Sequence, residues 1–285
     1  MRKIHVYLFC ALCFFLSVQV SANNQILLTG KALPGGVMLG KVPMGSKILF
    51  NKKPLKLTEE GDFVIGFDRD STSGDVLHVI YPDGQKETQH ITLASRTYDI
   101  QRVNGVSAEI QSSQKSAETW ERIRLEQVAV EAARAQILPL LAFKQTFRWP
   151  VIGPITGVFG SQRVYNGELG RPHYGVDVGV PTGTSVVAPA DGVITLAHED
   201  MYYSGGTIIL DHGFQVSSTF IHLSKVLVKA GDVVKQGDII GLVGATGRAT
   251  GPHLDWRMNW MDRRVDPQLL VPSMHEVMKN SSLSK

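Results

Sequence analysis

GPHLDWRMNW, residues 251–260, alternates strictly from His253 onward. On an extended chain His253, Asp255, Arg257 and Asn259 fall on one side, and Leu254, Trp256, Met258 and Trp260 on the other. The apolar row predicts a β-strand laid against a core. The polar row opens with an imidazole and a carboxylate, two metal-ligand types on one strand face. One strand gives only part of a site, so partners must come from elsewhere in the chain.

RPHYGVDVGV, residues 171–180, supplies the next pair. Its glycines and valines favour extended chain over helix, so His173, Gly175 and Asp177 share a face. Gly175 puts no side chain between the two polar groups, which leaves room for an ion. TFIHLS, residues 219–224, places His222 at the end of an apolar strand. Each of these signals is weak alone. Together, in a Gly-rich β segment, they point to a metal site.

The ordered run of FRWPVIGPITGVFGSQR (147–163), RPHYGVDVGVPTGTSVVAPADGVI (171–194), STFIHLS (218–224) and VVKQGDIIGLVGATGRATGPHLDW (233–256) resembles the lysostaphin-like (LytM-type) zinc metallopeptidases of bacterial cell-wall turnover. The resemblance covers about residues 147–272. It implies zinc ligands at His173 and Asp177, and catalytic histidines at His253 and His222. It also implies a third ligand two residues after His253. That family has histidine there, and this chain has Asp255. A site of one histidine and two carboxylates is legal for zinc, and its oxygen donors also suit manganese. With two carboxylates the loaded site would be net neutral instead of +1, so an activity optimum at higher pH is expected. The substrate implied is the peptide crosslinks of peptidoglycan. The alternative is an inactive member, in which Arg257 pairs with Asp255 along the strand face and fills the metal position, and which binds and activates another cell-wall hydrolase.

The remaining chain frames this domain. Met1–Lys3 is basic, residues 4–20 are apolar, and small residues end at Ala22, which reads as a secretory signal peptide over 1–22. Both cysteines, Cys10 and Cys13, lie inside it, so an exported chain would have neither disulfides nor thiolate chemistry. Loss of Arg2 and Lys3 would reduce the formal charge from +3 to +1, which leaves no basic field for nucleic acid. Export, most naturally to a periplasm, is expected.

Residues 23–106 carry about seven short apolar runs between turn signals, including the Pro82-Asp83-Gly84 bend, and predict an immunoglobulin-like β-sandwich. Residues 107–146 are a linker whose stretch 114–138 lacks Gly and Pro and predicts one helix, capped by Ser116 or Thr119 and stopped before Pro139. The helix or the sandwich is the expected docking surface for an envelope protein. Residues 147–272 form the metallopeptidase domain, mainly β with a groove over an antiparallel sheet. Residues 273–285 are expected to be a polar tail. His212, in LDHG, reads as a turn histidine.

Overall fold

A computed structural model of the chain describes residues 25–72, 74–103, 115–165 and 167–283. Residues 1–22, expected to be a signal peptide, lie outside the described residues. No helix among those described is long and apolar enough to cross a membrane.

The chain is mainly β. Seven strands come first: β1 (Leu27–Gly30), β2 (Val37–Lys41), β3 (Lys47–Phe50), β4 (Lys53–Leu55), β5 (Asp62–Gly66), β6 (Val76–Ile80) and β7 (Lys86–His90). They form two antiparallel sheets, ordered β1-β2-β5 and β4-β3-β6-β7. Ile48, Phe50, Phe63, Ile65, Leu77 and Val79 are buried in one shared cluster. Both rows of β5 are buried. Gly66, at its end, has to be glycine: a Cβ there would come within 2.9 Å of Trp260 and of Val265 in the second half of the chain.

A short strand β8 (Ile100–Val103) leaves this module and pairs in parallel with β10 (Gln162–Tyr165), which also pairs with β11 (Glu168–Leu169). Between them runs α1 (Ala117–Ala135). Ser116 caps it, its hydroxyl accepting from the Thr119 amide at 3.2 Å. Helix α1 is mostly exposed; Ala133 packs with Leu196, Met201 and Ile209, and Arg122 pairs with Asp200.

The large sheet places the candidate site. Its strands are β9 (Ile155–Gly157), β12 (Val176–Val178), β14 (Gly192–Met201), β15 (Gly205–Asp211), β16 (Val216–Leu223), β18 (Val233–Val234), β20 (Leu254–Trp260) and β21 (Arg263–Val265). The order is β18-β14-β15-β16-β20-β12-β9, with β21 also on β20. A second sheet, β13 (Ser185–Val187), β19 (Ile239–Leu242) and β17 (Lys225–Val226), completes the domain.

Strand β20 behaves as its alternation dictates on the apolar side: Leu254, Trp256, Met258 and Trp260 are fully buried. Trp256 meets Trp149 edge-on at 5.8 Å and Trp260 meets Phe50 at 5.4 Å. The sandwich therefore packs on the back of the strand that carries the site. Arg263 fastens the contact, donating to the Gly66 carbonyl at 3.0 Å and pairing with Asp75 at 2.8 Å.

One local expectation is corrected. The segment expected as a polar tail contains a helix, α2 (Met274–Leu283). Ser273 and Glu276 form a reciprocal cap, and Met274 is buried. His212 lies in the turn between β15 and β16, as expected, and is fully buried there, held by the Asp191 carbonyl and the Ser218 hydroxyl, each at 2.8 Å. Burial pushes its pKa down to about 4, so it stays neutral at physiological pH.

Candidate metal centre

Strands β12 and β20 are antiparallel neighbours, and Asp177 stands directly opposite Asp255. His173 lies on the extended approach to β12. One ligand atom from each of His173, Asp177 and Asp255 falls within 4.8 Å of the others. His173 Nε2 and Asp177 Oδ1 are buried and face each other at 3.1 Å, and neither has a hydrogen-bond partner beyond that contact. Orphaned donors and acceptors of this kind are costly unless something completes them. The mutual aim of an imidazole nitrogen and a carboxylate oxygen suits a divalent ion.

Two glycines make the geometry possible. A Cβ on Gly157, opposite Asp177 on β9, would lie 2.2 Å from Asp177 Oδ2. A Cβ on Gly175 would lie 2.4 Å from Asp255 Oδ1 and 2.7 Å from Arg257 Cγ. The space at Gly175 thus seats the Asp255 and Arg257 side chains. Gly175→Ala is expected to push this pair aside and to weaken zinc binding by at least about tenfold, the scale seen when a ligand's supporting contacts are lost. Competition with a zinc-sensitive dye measures it; unchanged affinity would contradict the seating.

Asp255 is held by a fork. Arg257 Nε donates to Oδ1 at 3.0 Å and to Oδ2 at 3.1 Å, and Nη2 donates to Oδ2 at 2.6 Å. The polar face of β20 is therefore not open to solvent as an alternating strand would suggest: Asp255 and Asn259 are both buried. A carboxylate has about four lone-pair positions, so Asp255 retains acceptor capacity beside the guanidinium. The residues fit a metal ion on this donor set.

The fork also changes the charge expectation. Asp255⁻ with Arg257⁺ is a neutral unit, as a histidine is. Two carboxylates, one guanidinium, neutral His173 and a divalent ion total +1, not zero. The alkaline shift expected from two carboxylates alone loses its basis. The cation also explains how two carboxylates tolerate direct cross-strand register. Arg257 holds the buried Asp255 carboxyl below the usual carboxylate range, against the opposing effect of burial.

His173 is pulled down by burial, but Asp177 beside it and the Asp255 charge outweigh this and hold its pKa above the ordinary histidine value. Zinc requires Nε2 without its proton. Zinc uptake near neutral pH should therefore release a proton, and affinity should fall by up to about tenfold per pH unit as acidification protonates His173. Calorimetry in buffers of different ionisation heat checks this; uptake without proton release would contradict it.

The two other histidines flank the ligands. Their rings are 5.0 Å apart, and His253 Nε2 is 3.9 Å from Asp177 Oδ1. His253 Nδ1 donates to the Gly251 carbonyl and His222 Nδ1 to the Thr246 carbonyl, both at 2.8 Å. A carbonyl only accepts, so each neutral ring carries its proton on Nδ1 and keeps a lone pair on Nε2. His222 sits at φ 65°, a left-handed conformation for a non-glycine residue. Burial lowers its pKa and favours the neutral base. Thr246 fixes the turn that carries this acceptor: its hydroxyl donates to Leu223 O at 2.8 Å and accepts from the Gly206 amide at 3.0 Å. That role was not legible beforehand, because a threonine in a Gly-rich loop looks like ordinary turn chemistry.

The five residues singled out in the sequence thus lie together on one face of one antiparallel sheet, as three clustered donors and two histidines with free Nε2 atoms. This is the arrangement of a β-sheet metallopeptidase. Residues 171–267 match the model of peptidase family M23. The fold is similar to a Pseudomonas aeruginosa chain assigned to peptidase M23, with 32% sequence identity and a TM-score of 0.66 over 85% of this chain and 95% of that one. The chain belongs to peptidase family M23. Among curated relatives, a metalloprotease of Haemophilus influenzae is 45% identical over 97 residues, 34% of this chain and 20% of that one. The peptidoglycan DD-endopeptidase ShyA of Vibrio cholerae is 42% identical over 95 residues, 33% of this chain and 22% of that one. The match thus spans about a fifth of the length of these relatives.

Proposed function

We propose that the chain is a metal-dependent peptidase that hydrolyses peptide crosslinks of peptidoglycan outside the cytoplasm. The observation that carries this reading is the convergence of His173 Nε2, Asp177 Oδ1 and the Asp255 carboxylate beside two histidines with free Nε2 atoms. The similarity to a relative named peptidoglycan DD-endopeptidase supports the substrate class. The basic, apolar and small-residue pattern over residues 1–22 supports export, most simply to a periplasm. The order β1-β2-β5 and β4-β3-β6-β7 supports an immunoglobulin-like kinship for the first module.

His173, Asp177 and Asp255 would hold the ion, zinc in the first place. Bound there, it supplies a Lewis acid for the scissile carbonyl and for the attacking water. His253 Nε2 takes the water proton, its ring fixed by the Gly251 carbonyl. His222 Nε2, a lone pair on a ring fixed by the Thr246 carbonyl, accepts from the same water and shares the base role, and the proton taken up passes to the leaving amine nitrogen. Arg257 keeps Asp255 ionised and oriented.

One observation favours the inactive alternative: Arg257 engages both Asp255 oxygens. Against it stand His173 Nε2 and Asp177 Oδ1, which Arg257 leaves without hydrogen-bond partners. The test is peptide release from purified peptidoglycan by the zinc-loaded chain, with and without chelator. Chelator-sensitive release is expected. A chain that retains no metal and releases nothing, yet activates a separate hydrolase, would overturn the reading.

A further inference from the structure

The polar face of β20 continues beyond the metal centre. After Asp255 come Arg257 and Asn259, with Thr219 and Ser217 opposite them on β16 and Arg264 opposite Asn259 on β21. The last turn of α1 delivers a third arginine to this strip. Arg134 Nη2 donates to Thr219 Oγ1 at 2.9 Å, and Thr219 is the register partner of Arg257. Three guanidiniums, from one helix and two strands, therefore lie along one half-buried strip beside the metal centre.

Their direct hydrogen-bond partners are unequal. The Arg257 fork is taken by Asp255. Arg264 Nη1 donates to the neutral Asn259 Oδ1 at 2.9 Å, and its guanidinium lies 6.0 Å from the Tyr174 ring centre. Arg134 has a neutral hydroxyl as its partner, and its Nε is buried with no hydrogen-bond partner. Among the described residues, neither Arg134 nor Arg264 has a carboxylate in an ion pair; Asp68 and Asp255 attract Arg264 from beyond that distance, and Arg134 has no such neighbour. Burial, and then the neighbouring Arg264 and Arg257 charges, push the Arg134 pKa down to about 9, so the guanidinium is still charged at neutral pH.

A half-buried cation with an unsatisfied N–H is a standing cost. A cluster of such groups beside a candidate reaction centre marks a place that gains when an anion arrives. Guanidinium geometry selects planar carboxylates, which it binds through two parallel N–H groups. From Asp255 to Asn259 the strip runs about 13 Å, the reach of roughly four extended residues.

We propose that Arg134 and Arg264, beside the Asp255-bound Arg257, form a carboxylate-binding subsite that seats an acidic group of the bound peptide beside the metal centre. That the peptide is a substrate rests on the hydrolase reading above; that the subsite binds carboxylate does not.

The test is binding to the full, metal-free chain, with metal removed by dialysis. The probes are acetyl-Ala-Ala-Ala with a free terminal carboxylate, acetyl-Ala-Glu-Ala-amide with only a side-chain carboxylate, acetyl-Ala-Gln-Ala-amide with neither, and inorganic phosphate. At least one carboxylate probe should bind tenfold or more tightly than the glutamine probe. It should also move the Arg134 Nε–H resonance, which the glutamine probe should leave in place. The tighter carboxylate probe tells a terminal from a side-chain group. Arg134→Gln and Arg264→Gln should each remove most of the preference, with melting curves confirming that each variant folds. If one variant does not fold, the other and the wild-type resonance decide. Equal binding of acidic and glutamine probes, no binding of either, or phosphate binding as tightly as the best carboxylate probe would overturn the proposal. A chain that prefers carboxylates but releases no peptide overturns the hydrolase reading alone. A chain that releases peptide without this preference overturns the subsite alone.

Discussion

Arg257→Leu is expected to lower the stability of the metal-free chain by about 3 kcal/mol, the lower end of the cost of stripping one partner from a buried ion pair. The lower end applies because the Arg257 side chain keeps 29% exposure, whereas Asp255 keeps 3%. The loss falls on Asp255, left buried and charged opposite Asp177. Zinc should return part of it, because the ion gives Asp255 a new cation. The rise in melting temperature on adding zinc should therefore be larger in Arg257→Leu than in the wild type. Asp255→Leu/Arg257→Leu, which removes both charges, should recover stability without recovering zinc binding. Thermal melts of the three chains, with and without zinc, check all of this. A single variant that melts with the wild type would mean that the fork contributes little.

His253→Ala is expected to reduce kcat for peptide release by about 10²- to 10⁴-fold, the usual yield of a positioned general base. Metal content should not change, because His253 is outside the donor trio. The strand itself should survive. The bridge between His253 and Gly244 is made by backbone, with the His253 amide donating to the Gly244 carbonyl at 3.1 Å. His222→Ala should also reduce kcat, and the double variant should lose less than the product of the two, as groups acting on one proton path do. Steady-state release of soluble peptides, paired with metal analysis, separates the outcomes. Loss of metal in His253→Ala would make it a ligand instead of a base.

The alternation in 251–260 was enough to place a strand, its buried face and two candidate groups. The repeated spacing around His173 and His222 was enough to collect the other three. That succeeds because strand periodicity is local and needs no knowledge of neighbours. The sequence did not reveal that the polar face of β20 is also covered, since the cover includes Arg134, far away on α1. It offered the Arg257–Asp255 pair only as the mark of an inactive site; that the pair forms while His173 and Asp177 stay unfilled depends on the space at Gly175 across the sheet. The charge expectation failed for this reason. The helix at 274–283 was legible in Ser273 and Glu276, whose spacing is that of a capping box, but the polar composition hid it.

The X-ray absorption edge of the zinc-loaded wild-type chain tests the central claim most directly. The claim is that Asp255, neutralised by Arg257, takes the place of a histidine as third ligand. The predicted shell has one imidazole nitrogen and two protein carboxylate oxygens at about 2.0–2.2 Å. Asp255→Ala should remove one of those oxygens. A shell with two imidazoles, or one that Asp255→Ala leaves unchanged, would contradict it.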